Sequence, residues 1–432
     1  MALPAALFAL AFARPSRLPG QLVIQISNRC NGSCPQCGMR REAEISRVRL
    51  PAETVKKALR DCAENGVEAV SFTGGEPFIN IPEILDLLDY AGGLKIPYLR
   101  SGTNGYMFAP GGKAAGPARL IPFVESLVKS PLRNFWISMD SADTETHERL
   151  RGLPGVIGGI VKALPEFHAR GLYPAVNLGI NRFIAGELIP PLGETGDEGA
   201  FLESFRRGFD AFFAKAASMG FTMANVCYPM SFETADPEAG RPAYGAISDD
   251  IMVSFSRREL RLVFGALLET IPVYRKSIRI FTPLSVLYAL SRENSRELLF
   301  PCLGGICYFY MDSRDGHIYP CGYRGDEDMG ASVAELKKPR GGQKPFCKKC
   351  HWECFMDPSQ LFGIFRYVIR HPFRTFSGKA PDRRILRLWL GDIKYYLDCG
   401  FFDGRKPPKR RQEFETVEPL QNGGNDLQAD EA

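Results

Sequence analysis

From residue 21 to residue 227, short apolar runs alternate with stretches whose apolar positions recur at helical spacing. Gln21-Leu-Val-Ile-Gln-Ile-Ser27 reads as a strand. Within 51–65, Val55, Ala58, Leu59 and Cys62 share one helical face, and Gly66 suits the exit. The same reading predicts strands over 67–72, 98–101, 134–139, 173–180 and 221–227. It predicts helices over 84–91, 119–129, 156–170 and 199–219, with Pro165 weakening the second half of the third. Six strands with helices between them predict an α/β fold whose parallel sheet closes into a partial (β/α)6 barrel. Functional residues are then expected at the C-terminal ends of the strands.

The pattern changes after the barrel, and so do the boundaries it implies. Residues 1–20 form an apolar N-terminal segment, 21–235 the barrel, and 236–300 a helical connector in which Ser256 and Glu259 suit a capping box. Residues 301–358 form a small Cys-rich domain whose core is too small to be convincing without metal. A basic, aromatic, helical segment follows over 359–411, then an acidic, disordered tail over 412–432.

Composition narrows the class. At 432 residues, 45% hydrophobic and 24% charged, the chain can bury a full core, which excludes collagen-like, disordered and disulfide-miniprotein readings. The net charge of +5 is local: 366–411 carries +9 and 412–432 carries −6, leaving +2 elsewhere. Nucleic acid is therefore not implied as a partner. No run approaches the roughly 20 apolar residues of a membrane span. Residues 1–13 are apolar without a basic n-region; an Ala-Phe-Ala ending at Ala13 leaves export as the lesser reading.

Twelve cysteines require an account by position, and nine fall into two groups. Cys30, Cys34 and Cys37 have the spacing CxxxCxxC on the loop after the first strand. Three soft thiolates can hold three irons of a cubane or, with a further ligand, a zinc ion. Cys302, Cys307, Cys321, Cys347, Cys350 and Cys354 form the second group, in which Asp315 to Cys321 reads as a hairpin delivering a thiolate. Spacings as close as Cys347, Cys350 and Cys354 suit one metal centre better than separate disulfides, and a metal centre suits a reducing, cytoplasmic compartment.

CxxxCxxC after the first strand, Gly74-Gly75-Glu76-Pro77 after the second, and a partial barrel together resemble the radical S-adenosylmethionine superfamily over about 21–228. The resemblance implies a [4Fe–4S] cluster on Cys30, Cys34 and Cys37, with S-adenosylmethionine chelating its open iron. Reductive cleavage would then give methionine and a 5′-deoxyadenosyl radical that abstracts hydrogen from an unidentified substrate. A low-potential electron donor is the implied partner. Two glycines also let backbone approach a ligand closely, and exposed carbonyls with Glu76 can accept from an ammonium group.

Further cofactor contacts carry over to Asn104 after the third strand, Ser138 and Asp140 ending the fourth, Arg151, and Asn181 past the fifth. Many relatives have an aromatic residue before the third cysteine; here it is Gln36, so the adenine contact must come from elsewhere. Cys227, ending the sixth strand, is a catalytic candidate if it faces substrate, with a buried core thiol as the plainer reading.

The second group resembles SPASM/twitch auxiliary-cluster domains, strongly in its first half, Cys302 to Cys321, and in shortened form after it. That implies one auxiliary [4Fe–4S] cluster, two being the alternative, for electron transfer or substrate binding. Cys302 and Cys321 are the safest ligands; spacing does not decide among Cys307, Cys347, Cys350 and Cys354. Resemblance leaves the substrate as a peptide, a sugar or polyol, or a lipid-linked molecule. Trp389, Tyr395 and Tyr396 among basic residues, with Lys409, Arg410 and Arg411 beyond, suggest peripheral contact at the inner membrane face; the plainer reading packs this helix on the barrel. The rival functions are an Fe–S electron carrier that kept the fold and a zinc-binding interaction protein.

Overall fold

The computed structural model describes residues 20–38, 47–193, 196–229, 248, 250–333, 347–348, 350–370 and 383–408. Residues 1–13, 412–432 and the basic Lys409, Arg410 and Arg411 lie outside the described residues.

The barrel segment runs β1 (Gln21–Ser27), α1 (Ala52–Glu64), β2 (Ala69–Gly74), α2 (Ile81–Gly93), β3 (Tyr98–Thr103), α3 (Pro117–Lys129), β4 (Leu132–Met139). It continues with α4 (Thr144–Arg151), α5 (Val156–Ala169), β5 (Ala175–Gly179), α6 (Glu198–Met219) and β6 (Met223–Cys227). These strands are parallel and hydrogen-bond in sequence order, giving the partial barrel. Ile137, Met139, Val176, Leu178, Ala224 and Val226 are fully buried beneath the helices. The intervening positions are the more open ones: Trp136, Ser138, Asn177, Gly179, Asn225 and Cys227. This alternation puts the polar row on the barrel's inner face.

Two helical details depart from the sequence reading. Helix α5 continues through Pro165 to Ala169, its buried Leu164 and Phe167 holding the second half in the core. The unpredicted α4 follows from an Asp143 N-cap, whose carboxylate accepts from Thr146 N at 2.8 Å, and ends at Gly152 in the left-handed region.

Beyond the barrel come α7 (Arg257–Tyr274), β7 (Arg279–Ile280), α8 (Leu284–Leu290), α9 (Ser295–Leu298), β8 (Tyr308–Met311), β9 (Ile318–Tyr319), α10 (Glu353–Arg370) and α11 (Arg383–Asp398). The Ser256–Glu259 capping box is formed. Strand β7 adds to β6 in parallel. Strand β8 pairs in parallel with β1, and β9 pairs antiparallel with β8, forming the hairpin read around Asp315 to Cys321. The Cys-rich segment therefore extends the barrel sheet at its β1 edge, giving a nine-stranded sheet, rather than building a sheet of its own.

Helix α11 is amphipathic and spends its apolar face inside the protein. Trp389 is 7% exposed, and its Nε1 donates to Leu361 O at 2.8 Å. Buried Asp392 accepts from Leu284 N and Ser285 N at 2.9 and 2.8 Å, capping α8, while Arg275 lies 3.5 Å away. Tyr395 accepts from Ile280 N at 2.9 Å and stacks beneath Arg275. Tyr396 donates to Phe281 O. The aromatic residues that suggested a membrane contact are turned into the protein, where each has a hydrogen-bond partner: Trp389 on α10, Tyr395 on β7 and Tyr396 just after β7. No helix among the described residues is long and apolar enough to cross a membrane.

The chain then closes the entry ends of the strands. Tyr98 Oη donates to the carbonyls of Phe401 and Phe402, and the Phe402 ring stacks on Phe281 at 3.9 Å. Arg405 donates to the carbonyls of Leu127, Val128, Ser130 and Leu132 between α3 and β4. These carbonyls include orphan acceptors of a helix C-terminus, which favours a cation there.

Candidate active site

The loop after β1 carries Cys30, Cys34 and Cys37, all free thiols. Its backbone lies against the Gly-Gly-Glu-Pro turn after β2. Gly75 N donates to Ser27 O at 2.8 Å and Glu76 N to Arg29 O at 2.9 Å. A Cβ at Gly74 would stand 2.3 Å from Ser27 O, and one at Gly75 2.1 Å from Arg29 O. The close approach these glycines permit is thus to the cysteine loop itself.

Glu76 is buried and accepts from Phe78 N at 3.0 Å and Asn104 N at 2.6 Å. Burial pushes its carboxyl up to about 7 against these hydrogen bonds. It ties the end of β2 to the end of β3. Pro77 is buried and opens the single 3₁₀ turn that Glu76 caps. Asn104 reaches the other way: its Nδ2 lies 3.1 Å from Asn31 Oδ1 and 3.7 Å from Cys30 Sγ.

A third brace comes from β4 and α4. Arg151 grips Asp140 through Nε at 2.7 Å and Nη2 at 2.8 Å, both residues buried. Gln36 Nε2 donates to the same carboxylate at 3.1 Å, and Ser33 N donates to Arg151 O at 2.8 Å. Burial alone would raise the Asp140 carboxyl; Arg151, His147 and Gln36 outweigh it and hold it below the usual range. Burial pushes the Cys34 thiol up to about 12, with Arg151 opposing and Asp140, Cys37 and Cys30 adding to the rise. Cys30 is raised for the same first reason, with the Gly32 N–H opposing. Asn181 Nδ2 donates to Asp140 O and Gly179 O at 2.7 and 2.8 Å, so its amide is engaged by the backbone of the site.

The thiols suit a thiolate-held cluster. Gly32 N donates to Cys30 Sγ at 3.3 Å, and a Cβ on Gly32 would touch the sulfurs of both Cys30 and Cys34 at 3.6 Å. Hydrogen bonds to ligand sulfur are a lever on cluster potential. Two further cysteines have the same i+2 amide donor: Gly304 N to Cys302 Sγ at 3.3 Å and Tyr323 N to Cys321 Sγ at 3.4 Å.

The tertiary structure sorts the second cysteine group. Cys302 and Cys347 are bridge partners, with Cys302 N donating to Cys347 O at 2.8 Å. Burial raises Cys302, to about 12, and Cys321, to about 11; the neighbouring thiols contribute, Cys321 and Cys347 on Cys302, Cys347 on Cys321. Burial raises Cys350 as well, and Cys321, Cys302 and Cys347 add to it. Cys302, Cys321 and Cys350 lie in one apolar cluster with Leu303, Tyr323, Trp352 and Phe355, which Cys307 and Cys354 also adjoin, and Cys347 joins them through its backbone pairing with Cys302. Among the described residues no three His, Cys, Asp or Glu side chains gather as a single-ion site.

Cys354 and Cys307, at the same cluster, have further neighbours of their own. Cys354 Sγ donates to Glu353 Oε1 at 3.5 Å, and its charged neighbours are Glu353, Arg100 and Asp357. Cys227, at the end of β6, feels Glu353 and Cys354 and contacts Asn177 Nδ2 at 3.2 Å. Glu353 and Asp357, at the start of α10, are buried against β6: Tyr228 N donates to Glu353 Oε2 at 3.2 Å and Tyr228 Oη to Asp357 Oδ1 at 3.1 Å. Cys307 is buried at the β1 edge, its carbonyl accepting from Gln21 N.

Sequence reasoning passed over several of these residues. Arg100 lies on the inner face of β3, over the rings of Trp136 and Phe281, with Nε buried and unpartnered. A charge inside the run Tyr98-Leu-Arg-Ser was its available signal. Asn225 also went unmarked: it is the register partner of Asn177, itself the partner of the predicted Ser138, and its Nδ2 donates to Asn177 Oδ1 at 2.7 Å. Glu353 had no signal beyond its place beside a cysteine.

Known proteins place this geometry. Residues 24–182 match the profile described as the Radical SAM superfamily. The chain is similar to the PqqA peptide cyclase of Gluconobacter oxydans, 28% identical over 164 residues, 38% of this chain and 42% of that protein. The chain thus spans about two fifths of the length of the curated relatives it first matches. An uncharacterized protein of Archaeoglobus fulgidus is 25% identical over 393 residues, 85% of this chain and 81% of that one. The solved structure of hexahistidine-tagged anSMEcpe with bound AdoMet has a TM-score of 0.51 at 13% identity, covering 88% of this chain and 99% of that one, a likeness of fold. The cysteine loop, the Gly-Gly-Glu-Pro turn and the Asp140–Arg151 brace all lie inside the matched stretch, and residues 24–182 are thus a radical S-adenosylmethionine superfamily segment.

Proposed function

We propose that Cys30, Cys34 and Cys37 hold a [4Fe–4S] cluster beside S-adenosylmethionine, that Cys302, Cys321, Cys347 and Cys350 hold one auxiliary [4Fe–4S] cluster, and that the substrate is a peptide. When bound, the first cluster supplies the electron that cleaves S-adenosylmethionine to methionine and a 5′-deoxyadenosyl radical. The protein's own part is to position and to shield. Glu76, Asn104 and the Asp140–Arg151 pair hold the cysteine loop against the strand ends from three sides. Ser138, Asn177 and Asn225 offer hydrogen bonds along the barrel's inner face. Cys227, with Cys354 and Glu353, closes that row at the end of β6, a thiol–carboxylate group suited to hydrogen or proton exchange with substrate.

The observation that supports the reading is that the Cys302, Cys321, Cys347 and Cys350 thiols act on one another, while Cys30, Cys34 and Cys37 sit together on the loop after β1. The peptide assignment draws on the peptide cyclase among the relatives. The packing of Trp389, Tyr395 and Tyr396 gives no support to a lipid-linked substrate.

Anaerobic incubation with dithionite and S-adenosylmethionine is expected to yield 5′-deoxyadenosine, and Cys30/Cys34/Cys37→Ala none. Fractions of a deuterated cell extract then serve as substrate, with deuterium in 5′-deoxyadenosine as the readout. Protease treatment of the active fraction should abolish transfer; transfer that survives it rules out a peptide.

A further inference from the structure

A cavity of about 150 Å³ lies where the first turns of α7 meet the 290–300 and 348–356 segments. Five cationic side chains line it: Arg257, Arg261, Arg292, Arg296 and Lys348. One carboxylate joins them, Glu293, which is 85% exposed and pairs with Arg261 at 3.1 Å. A concave site lined by one sign of charge concentrates its field on whatever ion enters.

Local structure accounts for part of this charge, since Arg261 pairs with Glu293 and Arg292 lies over the Tyr288 ring at 4.8 Å, but not for its concentration in one cavity. Arg257 opens an 18-residue helix, where the backbone dipole disfavours a cation. Lys348 Nζ donates to the Arg296 carbonyl, which brings two cationic residues together across the cavity wall instead of separating them. His351 lines the same cavity, and its Nε2 is buried without a hydrogen-bond partner. An entering anion would relieve each of these features.

The shape and the donors select the anion. Guanidinium forks match phosphate oxygens in pairs, and a phosphoryl group brings up to two charges on three acceptor oxygens. A carboxylate would leave most of the cationic field unanswered. We propose that this cavity binds the phosphate or diphosphate group of a small phosphorylated ligand, outside the barrel. Cys350 also lines the cavity, so the ligand would sit beside the proposed auxiliary cluster. That last placement, unlike the anion site itself, rests on the proposed function.

Calorimetric titration of the reconstituted full chain with inorganic diphosphate at low salt tests it. One saturable site is expected, about tenfold weaker in Arg257→Gln and again in Arg296→Gln. Lys348→Gln should weaken it in the same sense, and thermal melting checks that each variant is folded. Arg206→Gln/Arg207→Gln, on α6 beside Glu203, should leave binding unchanged. Adenosine diphosphate in a parallel titration separates an esterified ligand, which binds more tightly, from free diphosphate, which binds equally well. No saturable heat, an equal loss in the α6 control, or heat from a polyglutamate peptide but none from diphosphate would overturn the site. Iron is counted on the same samples, so loss of the auxiliary-cluster reading leaves the titration interpretable.

Discussion

Asp140 accepts both forked hydrogen bonds of Arg151 and a third from Gln36, the residue before Cys37. The end of β4 is thereby wired to the cysteine loop by a buried charge pair. Replacing one partner of such a pair strands the other in low dielectric, at a cost of about 3–5 kcal/mol. Arg151→Met should lose that much stability by urea unfolding. Arg151→Lys should recover only part of it, because an ammonium cannot fork. Unchanged stability in Arg151→Met would mean the pair is no brace.

Iron content reads the first cysteine loop directly. The parent chain, reconstituted anaerobically, should hold about eight irons, and Cys30/Cys34/Cys37→Ala about four. A variant that keeps all its iron would remove the loop from the cofactor.

The second group makes a sharper contrast between neighbours in sequence. Cys350→Ala should lose about four irons, whereas Cys354→Ala and Cys307→Ala should keep the full complement. Iron loss in Cys354→Ala would put that thiol back among the ligands and away from Cys227. Zinc in place of iron at this group would support the zinc-protein reading.

His147 sets a pH dependence whose sign follows from its surroundings. Its Nδ1 accepts from Asp140 N at 3.1 Å, which requires a neutral ring. Burial, with Arg151 nearby, lowers it from 6.5 to about 4, against the pull of Asp140. The unfolded chain therefore binds more protons between pH 6.5 and 4. The stability this group contributes is complete above pH 6.5 and falls as pH drops towards 4, by about 1–3 kcal/mol. Thermal melting of the parent across that window should show a fall that His147→Gln lessens; parallel curves would count against it.

The packed C-terminal helix gives a test that a membrane-facing helix would answer differently. Trp389→Ala empties a buried site and orphans Leu361 O, so it should cost about 3–5 kcal/mol by chemical denaturation. A cost near zero would return Trp389 to the surface.

Local pattern was enough for much of this protein. The apolar run of Gln21 to Ser27, buried along its whole length, the helical stripe of Val55 to Cys62 and the later repeats define a parallel α/β barrel, because full burial and one-sided burial each leave their own pattern in the chain. CxxxCxxC and Gly-Gly-Glu-Pro are likewise legible, being short and contiguous. Tertiary structure decided which residues answer one another across long stretches of chain. Gln36 meets Asp140, Cys354 lies by Cys227 more than a hundred residues before it, and Tyr98 meets Phe402. It also turned an aromatic, basic helix inward. Side-chain chemistry and spacing are properties of a segment, whereas the direction a thiol or an indole faces is set by the elements packed against it.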